Sequence, residues 1–223
     1  MECRVNECYA CVLGESLGIG LPAWLIRLSG CNLDCGYCDT RYARSEEGQV
    51  RTVRALRDEA RAARFGRVLL TGGEPMLQAE AAIELCRGLL SDGIEVHLET
   101  NGSMPLHGLP REVVKIVDIK TPGSCASGTA VPEGTSFLDE NLGCLGPADQ
   151  IKLVLTGRGD YLWATAFLAA RAPLPIPPGN VLFSPAWGQL PPSDLADWML
   201  QDALPCRFHL QIHKVVWGER RGV

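Results

Sequence analysis

Short β-rich runs alternate with helical stretches along most of this chain, strand first in each pair, and this alternation limits the fold more than any other property of the sequence. Parallel strands need long crossover connections, usually helices, so the pattern predicts an α/β architecture built on a parallel sheet. The β-rich runs fall at 5–13, 23–28, 67–71, 94–99, 113–120, 150–155, 181–184 and 208–216. Helical periodicity covers 53–63, 77–90, 161–171 and 193–200. Fewer helices than strands predicts an incomplete (β/α) barrel with abbreviated helices. The stretch 121–146, rich in Gly, Ser and Pro, reads as a long loop, and 173–179 as a turn-rich connector. There is no internal repeat. A chain of 223 residues is expected to form a single domain, 1–223, burying roughly 70–75% of its unfolded surface.

The chemistry is carried by Cys31, Cys35 and Cys38, spaced C-x3-C-x2-C. Clusters that only carry electrons are usually tied down by four cysteines. Three thiolates leave one iron of a 4Fe-4S cluster open for another ligand. The segment resembles the signature of the radical S-adenosylmethionine superfamily, in which the position before the last cysteine is commonly aromatic, as Tyr37 is here. Spacing alone shows a soft-metal site, and C-x2-C is also half of a zinc ribbon. A zinc site needs a second pair. Cys8 and Cys11 have the spacing, but they lie in a run that reads as a strand, where residues three apart point to opposite faces. Cys3, Cys86, Cys125, Cys144 and Cys206 share no spacing and read as core thiols.

Ten cysteines in a chain of this length are too sparse for a secreted disulfide scaffold, so the thiols are expected to be reduced. No apolar stretch approaches the roughly 18 residues that a membrane span needs, and no signal-like start is present. These features predict a cytoplasmic protein without membrane contact. The net charge of −5 argues against broad nucleic-acid binding. The arginines of 51–67 are interleaved with Asp58 and Glu59, and Val53, Leu56, Ala60 and Ala63 form one stripe, so this segment reads as a solvated amphipathic helix.

Parallel α/β folds place chemistry at the carboxyl ends of their strands, and several polar runs land there. Thr71-Gly72-Gly73-Glu74-Pro75 closes one strand, Glu99-Thr100-Asn101-Gly102 the next, and Asp118-Ile119-Lys120-Thr121-Pro122 another. A Gly-Gly turn is often only a turn, but it also lets main-chain groups approach a ligand closely. Arg27 stands in an otherwise apolar strand beside the cysteine loop. Pointing inward it would need a partner and could grip a carboxylate bidentately; pointing outward it would be a solvated surface residue.

Together with Leu13-Gly14-Glu15, Arg27-Leu28-Ser29-Gly30-Cys31, Cys38-Asp39-Thr40, Phe183-Ser184-Pro185 and Gln211-Ile212-His213-Lys214, these runs resemble the 7-carboxy-7-deazaguanine synthase family over nearly the whole chain. The sequence departs from that family at Leu13, where glutamine is usual, and at Ser16, where glycine is usual. The resemblance implies a radical S-adenosylmethionine barrel. It implies a magnesium-dependent radical ring contraction of 6-carboxy-5,6,7,8-tetrahydropterin to the carboxydeazaguanine, with loss of ammonia. A homodimer and an electron donor such as flavodoxin are implied with it. By the same resemblance Tyr37, Cys38, Asp39, Gly73, Glu74, Asn101, Lys120, Ser124 and Ser184 would address S-adenosylmethionine. Val12, Leu13, Gly14, Glu15, Arg27, Thr71 and His213 would address the pterin, and Thr40 a magnesium ion, where the bland alternative is a turn-capping threonine. Strand parity would put His209 and His213 on one face of the last strand, with His213 at the cavity mouth or packed against backbone. Other radical enzymes, such as glycyl-radical activases, and non-enzymatic electron carriers or zinc modules are the competing classes.

Overall fold

The computed structural model describes residues 1–125 and 137–223. Its strands are β1 (Glu2–Val12), β2 (Pro22–Leu28), β3 (Gln49–Thr52), β4 (Arg67–Gly72), β5 (Glu95–Thr100), β6 (Val114–Asp118), β7 (Gln150–Leu155), β8 (Val181–Pro185) and β9 (Arg207–Phe208). They form a nine-stranded sheet in the order β3-β1-β2-β4-β5-β6-β7-β8-β9. From β2 to β9 every neighbouring pair is parallel, and the edge strands do not meet, so the barrel stays open. β1 departs from the expected parallel order by running antiparallel to both β2 and β3. The physical reason lies in the connection. The segment 13–21 is shorter than the dozen or so residues that a parallel crossover requires.

Helices α1 (Arg41–Ser45), α2 (Val53–Ala63), α3 (Ala79–Ser91), α4 (Arg158–Ala169), α5 (Pro192–Gln201) and α6 (Ile212–Trp217) complete the described elements. Thr52 caps α2, its hydroxyl accepting from the Ala55 amide at 3.2 Å, and Val53, Leu56 and Ala60 are its buried stripe. No described helix is long and apolar enough to cross a membrane. Short 3-10 turns at Pro122–Ser124 and Asp139–Cys144 break up the expected 121–146 loop, of which 126–136 lies outside the described residues.

One expected element is wrong. Instead of a strand over 208–216, pairing stops after Phe208 and α6 begins at Ile212. The run Ile212, Val215, Val216 fits helical spacing as well as alternation, and Gly218, at a φ of 65°, ends the helix. His209 and His213 therefore do not share a strand face: His209 is buried beside β8, its amide donating to the Phe183 carbonyl, and His213 stands on α6.

Strand parity sorts the two faces of the sheet. Trp24, Ile26 and Leu28 of β2, Val68 and Leu70 of β4 and Ile151, Leu153 and Leu155 of β7 pack toward the helices in one large core. The opposite face carries only a small apolar cluster of Cys11, Leu13, Ala23, Leu25 and Leu69. Toward the strand ends that face turns polar, with Arg27, Thr71, Glu99, Asp118 and Lys152 lining one cavity. Cys8 joins the helix-side core and Cys11 the inner cluster, so the two thiols face opposite ways. Cys3 and Cys86 are buried, and Cys144 and Cys206 pack half-buried on the large core. Cys125 departs from the core-thiol reading, since it forms an isolated antiparallel bridge with Cys35.

Candidate active site

The inner face encloses a cavity of about 410 Å³ whose lining includes Cys31, Cys35 and Cys38. The cysteine loop follows β2 and is clamped from several sides. Glu74 donates its backbone amide to the Gly30 carbonyl at 2.8 Å, and the Gly36 amide donates to the Ser124 carbonyl at 2.8 Å. Asn32 donates to Ser103 Oγ at 2.8 Å and accepts from Asn101 Nδ2 at 3.1 Å. Among the described residues no three His, Cys, Asp or Glu side chains converge tightly enough to hold a single metal ion. A mononuclear zinc site would require that convergence. Thiolates that each take a different iron of a cluster do not.

Gly72 and Gly73 line the cavity, and packing demands glycine at both. A Cβ on Gly73 would stand 2.3 Å from the Gly30 carbonyl oxygen and 2.6 Å from Cys31 Cβ, and one on Gly72 would stand 2.5 Å from the Leu28 oxygen. The turn is therefore pressed directly onto the cysteine loop. Glu74 is fully buried, and its carboxylate accepts from Thr100 Oγ1 at 2.7 Å, the Asn101 amide at 2.7 Å and the Met76 amide at 2.9 Å. Its side chain thus joins the ends of β4 and β5 and stays out of the cavity lining.

The charged residues interlock across the strand ends. Asp118 and Lys152 are register partners on β6 and β7, and Asp118 Oδ2 lies 3.0 Å from Lys152 Nζ and 2.9 Å from Lys120 Nζ. Lys120 also sits 5.3 Å from the centre of the Tyr37 ring. Lys152 donates to Glu15, which accepts from Gln211 Nε2 as well. Burial pushes the Glu15 carboxyl upward, but Lys152 and His213 outweigh it and hold the group down at about 2. Burial raises the Glu99 carboxyl above its usual range, the Glu15 charge adds to this and Lys152 opposes it. Thr71 donates to Glu99 at 3.1 Å.

Arg27 points inward, 8% exposed, and its Nε donates to Glu7 Oε1 at 2.7 Å. Glu7 also accepts from the Tyr42 hydroxyl at 2.7 Å and from Arg221 at 3.2 Å. Asp39 Oδ2 lies 3.4 Å from His213 Nε2 and 3.3 Å from Lys214 Nζ, and its carboxyl is held well below the usual range because these partners outweigh burial. Burial lowers His213, but Asp39 and Glu15 prevail and raise it. Thr40 occupies the N-cap position of α1 without capping it through its side chain. Its hydroxyl faces the cavity 3.7 Å from Cys38 Sγ.

Of the residues expected from sequence, Val12, Gly14, Glu15, Arg27, Tyr37, Asp39, Thr40, Thr71, Gly73, Asn101, Lys120 and His213 all line this cavity with the three cysteines. Four do not. Leu13 is 1% exposed in the inner apolar cluster, its amide donating to Leu21 and its carbonyl accepting from Gly20. Glu74 is the clamp described above. Ser124 supports Gly36 from behind, and Ser184 is wholly buried with its hydroxyl unpartnered among the described residues. Lys152, Glu99, Asp118 and Gln211 were missed as site residues. Lys152 carried a readable signal, a lone charge at inward parity in Gln-Ile-Lys-Leu-Val-Leu, the same signal that marks Arg27.

The sequence profile of the Radical SAM superfamily matches residues 25–118. The 7-carboxy-7-deazaguanine synthase of Koribacter versatilis (strain Ellin345) is 37% identical, over 99% of this chain and 100% of that protein. That of Chlorobaculum tepidum is 36% identical, over 99% and 97%. The crystal structure of QueE from Escherichia coli matches the fold with a TM-score of 0.74 at 20% identity, covering 95% of this chain and 94% of that one. With relatives this similar matched from end to end, the chain belongs to the 7-carboxy-7-deazaguanine synthase family.

Proposed function

We propose that this chain, acting as one domain over 1–223, converts 6-carboxy-5,6,7,8-tetrahydropterin to 7-carboxy-7-deazaguanine with loss of ammonia. The observation that carries the reading is one cavity whose lining includes Cys31, Cys35 and Cys38 together with Arg27 and the Glu15–Lys152 pair. Those residues suit the groups they would hold. Cys31, Cys35 and Cys38 would hold a 4Fe-4S cluster, and the main chain of Gly72 and Gly73, with Asn101 and Lys120 nearby, would hold S-adenosylmethionine. When bound, this pair supplies a carbon radical able to take a hydrogen atom from substrate carbon, which no closed-shell side chain can do.

The chain's own groups then position the substrate. Arg27 is fixed through Nε by Glu7 and is also hydrogen-bonded to the Tyr9 side chain, and its remaining guanidinium N–H groups would grip the pterin carboxylate. Glu15 uses two of its roughly four lone-pair positions on Lys152 and Gln211. The rest can accept from the ring N–H and exocyclic amine of the pterin's pyrimidine edge. Glu99, with its raised carboxyl, can hold and deliver a proton that a departing nitrogen requires, beside lysines that, despite burial, Asp118 keeps charged. The Thr40 hydroxyl, which lies 3.7 Å from Cys38 Sγ, suits one position on a magnesium ion that keeps its waters and takes further oxygens from substrate. The family resemblance supports a homodimer and an external electron donor, and ten cysteines without a disulfide among them suit a reducing cytoplasm.

The test is an anaerobic assay of the reconstituted, reduced protein with S-adenosylmethionine, magnesium and the carboxytetrahydropterin. The carboxydeazaguanine should form and be identified by mass. Cofactor cleavage unaccompanied by that product would assign the chain another substrate.

A further inference from the structure

Cys125 stands opposite Cys35 in an isolated antiparallel bridge. The hydrogen bonding fixes which kind of pair this is. The Gly36 amide donates to the Ser124 carbonyl at 2.8 Å, so the bond joins the residue after Cys35 to the residue before Cys125, and the two cysteines form a non-hydrogen-bonded pair. Such pairs are the narrow ones, with Cα atoms about 4.5 Å apart and side chains on the same side of the ladder. That spacing lies at the near end of the roughly 4.4–6.8 Å window in which a disulfide can close without backbone movement.

The surroundings hold this geometry in place. Asp160, 5% exposed, accepts from the Gly123 amide at 2.8 Å and from the Thr156 amide and hydroxyl at 2.9 and 2.7 Å. A Cβ on Gly123 would meet Thr156 Oγ1 at 2.4 Å and Asp160 Oδ2 at 2.6 Å, so the turn is seated tightly on α4. The strap carrying Cys125 is thereby pinned on one side to α4 and on the other to the cysteine loop. The other two loop cysteines have local sulfur contacts: Cys31 Sγ accepts from the Leu33 amide at 3.5 Å, and Cys38 Sγ lies against Thr40.

We propose that Cys35 and Cys125 form a reversible disulfide whenever the protein lacks its cluster and meets a low-molecular-weight disulfide. The Cys125 sulfur attacks that oxidant and expels one thiol. The Cys35 sulfur then attacks the resulting mixed disulfide, loses its proton and expels the second thiol. Two protein thiols are oxidised and one small disulfide is reduced to two thiols. The bond would shield Cys35 from irreversible oxidation and withhold it from iron until a reductant opens it. That last consequence rests on Cys35 being a cluster ligand; bond formation itself does not.

The full-length, cluster-free protein is treated anaerobically with oxidised glutathione, blocked, digested without reduction and mapped by mass spectrometry. A Cys35–Cys125 linked peptide should dominate, and it should be absent when the cluster is assembled before oxidation. Pairing of Cys35 with Cys31 or Cys38, or its recovery as a stable glutathione adduct, would overturn the proposal. This mapping needs no variant and is indifferent to the enzyme's substrate. Iron uptake gives the second readout. Oxidised wild-type protein should take up almost no iron from ferrous iron and sulfide until dithiothreitol is added. Cys125→Ser treated with the same oxidant should take up iron without dithiothreitol. Equal uptake by oxidised and reduced wild type would refute the gating even if the linked peptide is found.

Discussion

Lys152 is the residue on which the cavity's charge balance turns. It is 5% exposed and serves both Glu15 and Asp118. Removing one partner of such a buried network leaves uncompensated charge and costs about 3–5 kcal/mol. Lys152→Met should therefore shift the urea midpoint strongly downward. The acid limb should change too. Glu15, held at about 2 against an ordinary 4.5, contributes stability that is present above pH 4.5 and lost as pH falls toward 2. That loss should be blunted in the variant, and a wild-type-like acid limb in Lys152→Met would show that Lys152 does not set the Glu15 carboxyl. Leu13 makes the opposite case. Its side chain fills the inner apolar cluster at 1% exposure, so Leu13→Gln should lower stability by about 1–3 kcal/mol through a poorly paired buried amide. It should not tighten pterin binding, and a lower substrate Kd measured calorimetrically would contradict this. Ser16, at a φ of 77° with its hydroxyl accepting from the Gly18 amide at 3.1 Å, shows how this loop accommodates a residue other than glycine.

The loops and turns carry the site, and their contacts explain what the sequence could and could not show. The motif runs at the ends of β4, β5 and β6 were legible because each combines glycine or small polar residues with a strand terminus. Which of their side chains face inward was not. Glu74 reads as a ligand in isolation and proves to be a clamp, since two donors from the end of β5 and one from its own turn reach it in the fold. The segment 208–216 misled for a related reason: its β-branched residues suit a strand, but tertiary context overrides such propensity. Here the Ile212 amide finds the Gly14 carbonyl at 2.9 Å, and Lys214 finds Asp39. The glycine contacts make a direct test. Gly73→Ala should displace the cysteine loop and abolish iron retention after reconstitution. Gly143→Ala, at a glycine whose added Cβ would meet nothing within 4 Å, should retain iron fully. Equal iron content in the two variants would show that the turn does not seat the loop.

At the scale of the whole molecule, an open sheet with few crossover helices lines one cavity with polar strand-end residues and with the cysteine loop. The count of β-rich runs against helical ones was enough to read the incomplete barrel. The antiparallel β1 and β3 were harder, because β3 is a short, largely exposed run and alternation says nothing about strand direction. What the fold achieves is proximity: Arg27 and Glu15 address the same cavity as Cys31, Cys35 and Cys38, so a substrate held by the former lies against whatever the latter bind. The most direct test is isotopic. The reduced, reconstituted enzyme is given S-adenosylmethionine and carboxytetrahydropterin deuterated at its ring carbons, and both the S-adenosylmethionine recovered and any 5′-deoxyadenosine released are weighed by mass spectrometry. Deuterium should appear at the 5′ carbon of this cofactor pool with wild-type enzyme, and the labelled fraction should fall in Arg27→Lys while uncoupled cofactor cleavage continues. Absence of deuterium from both species with the wild type would mean that the cavity does not hold the pterin beside the cysteine loop.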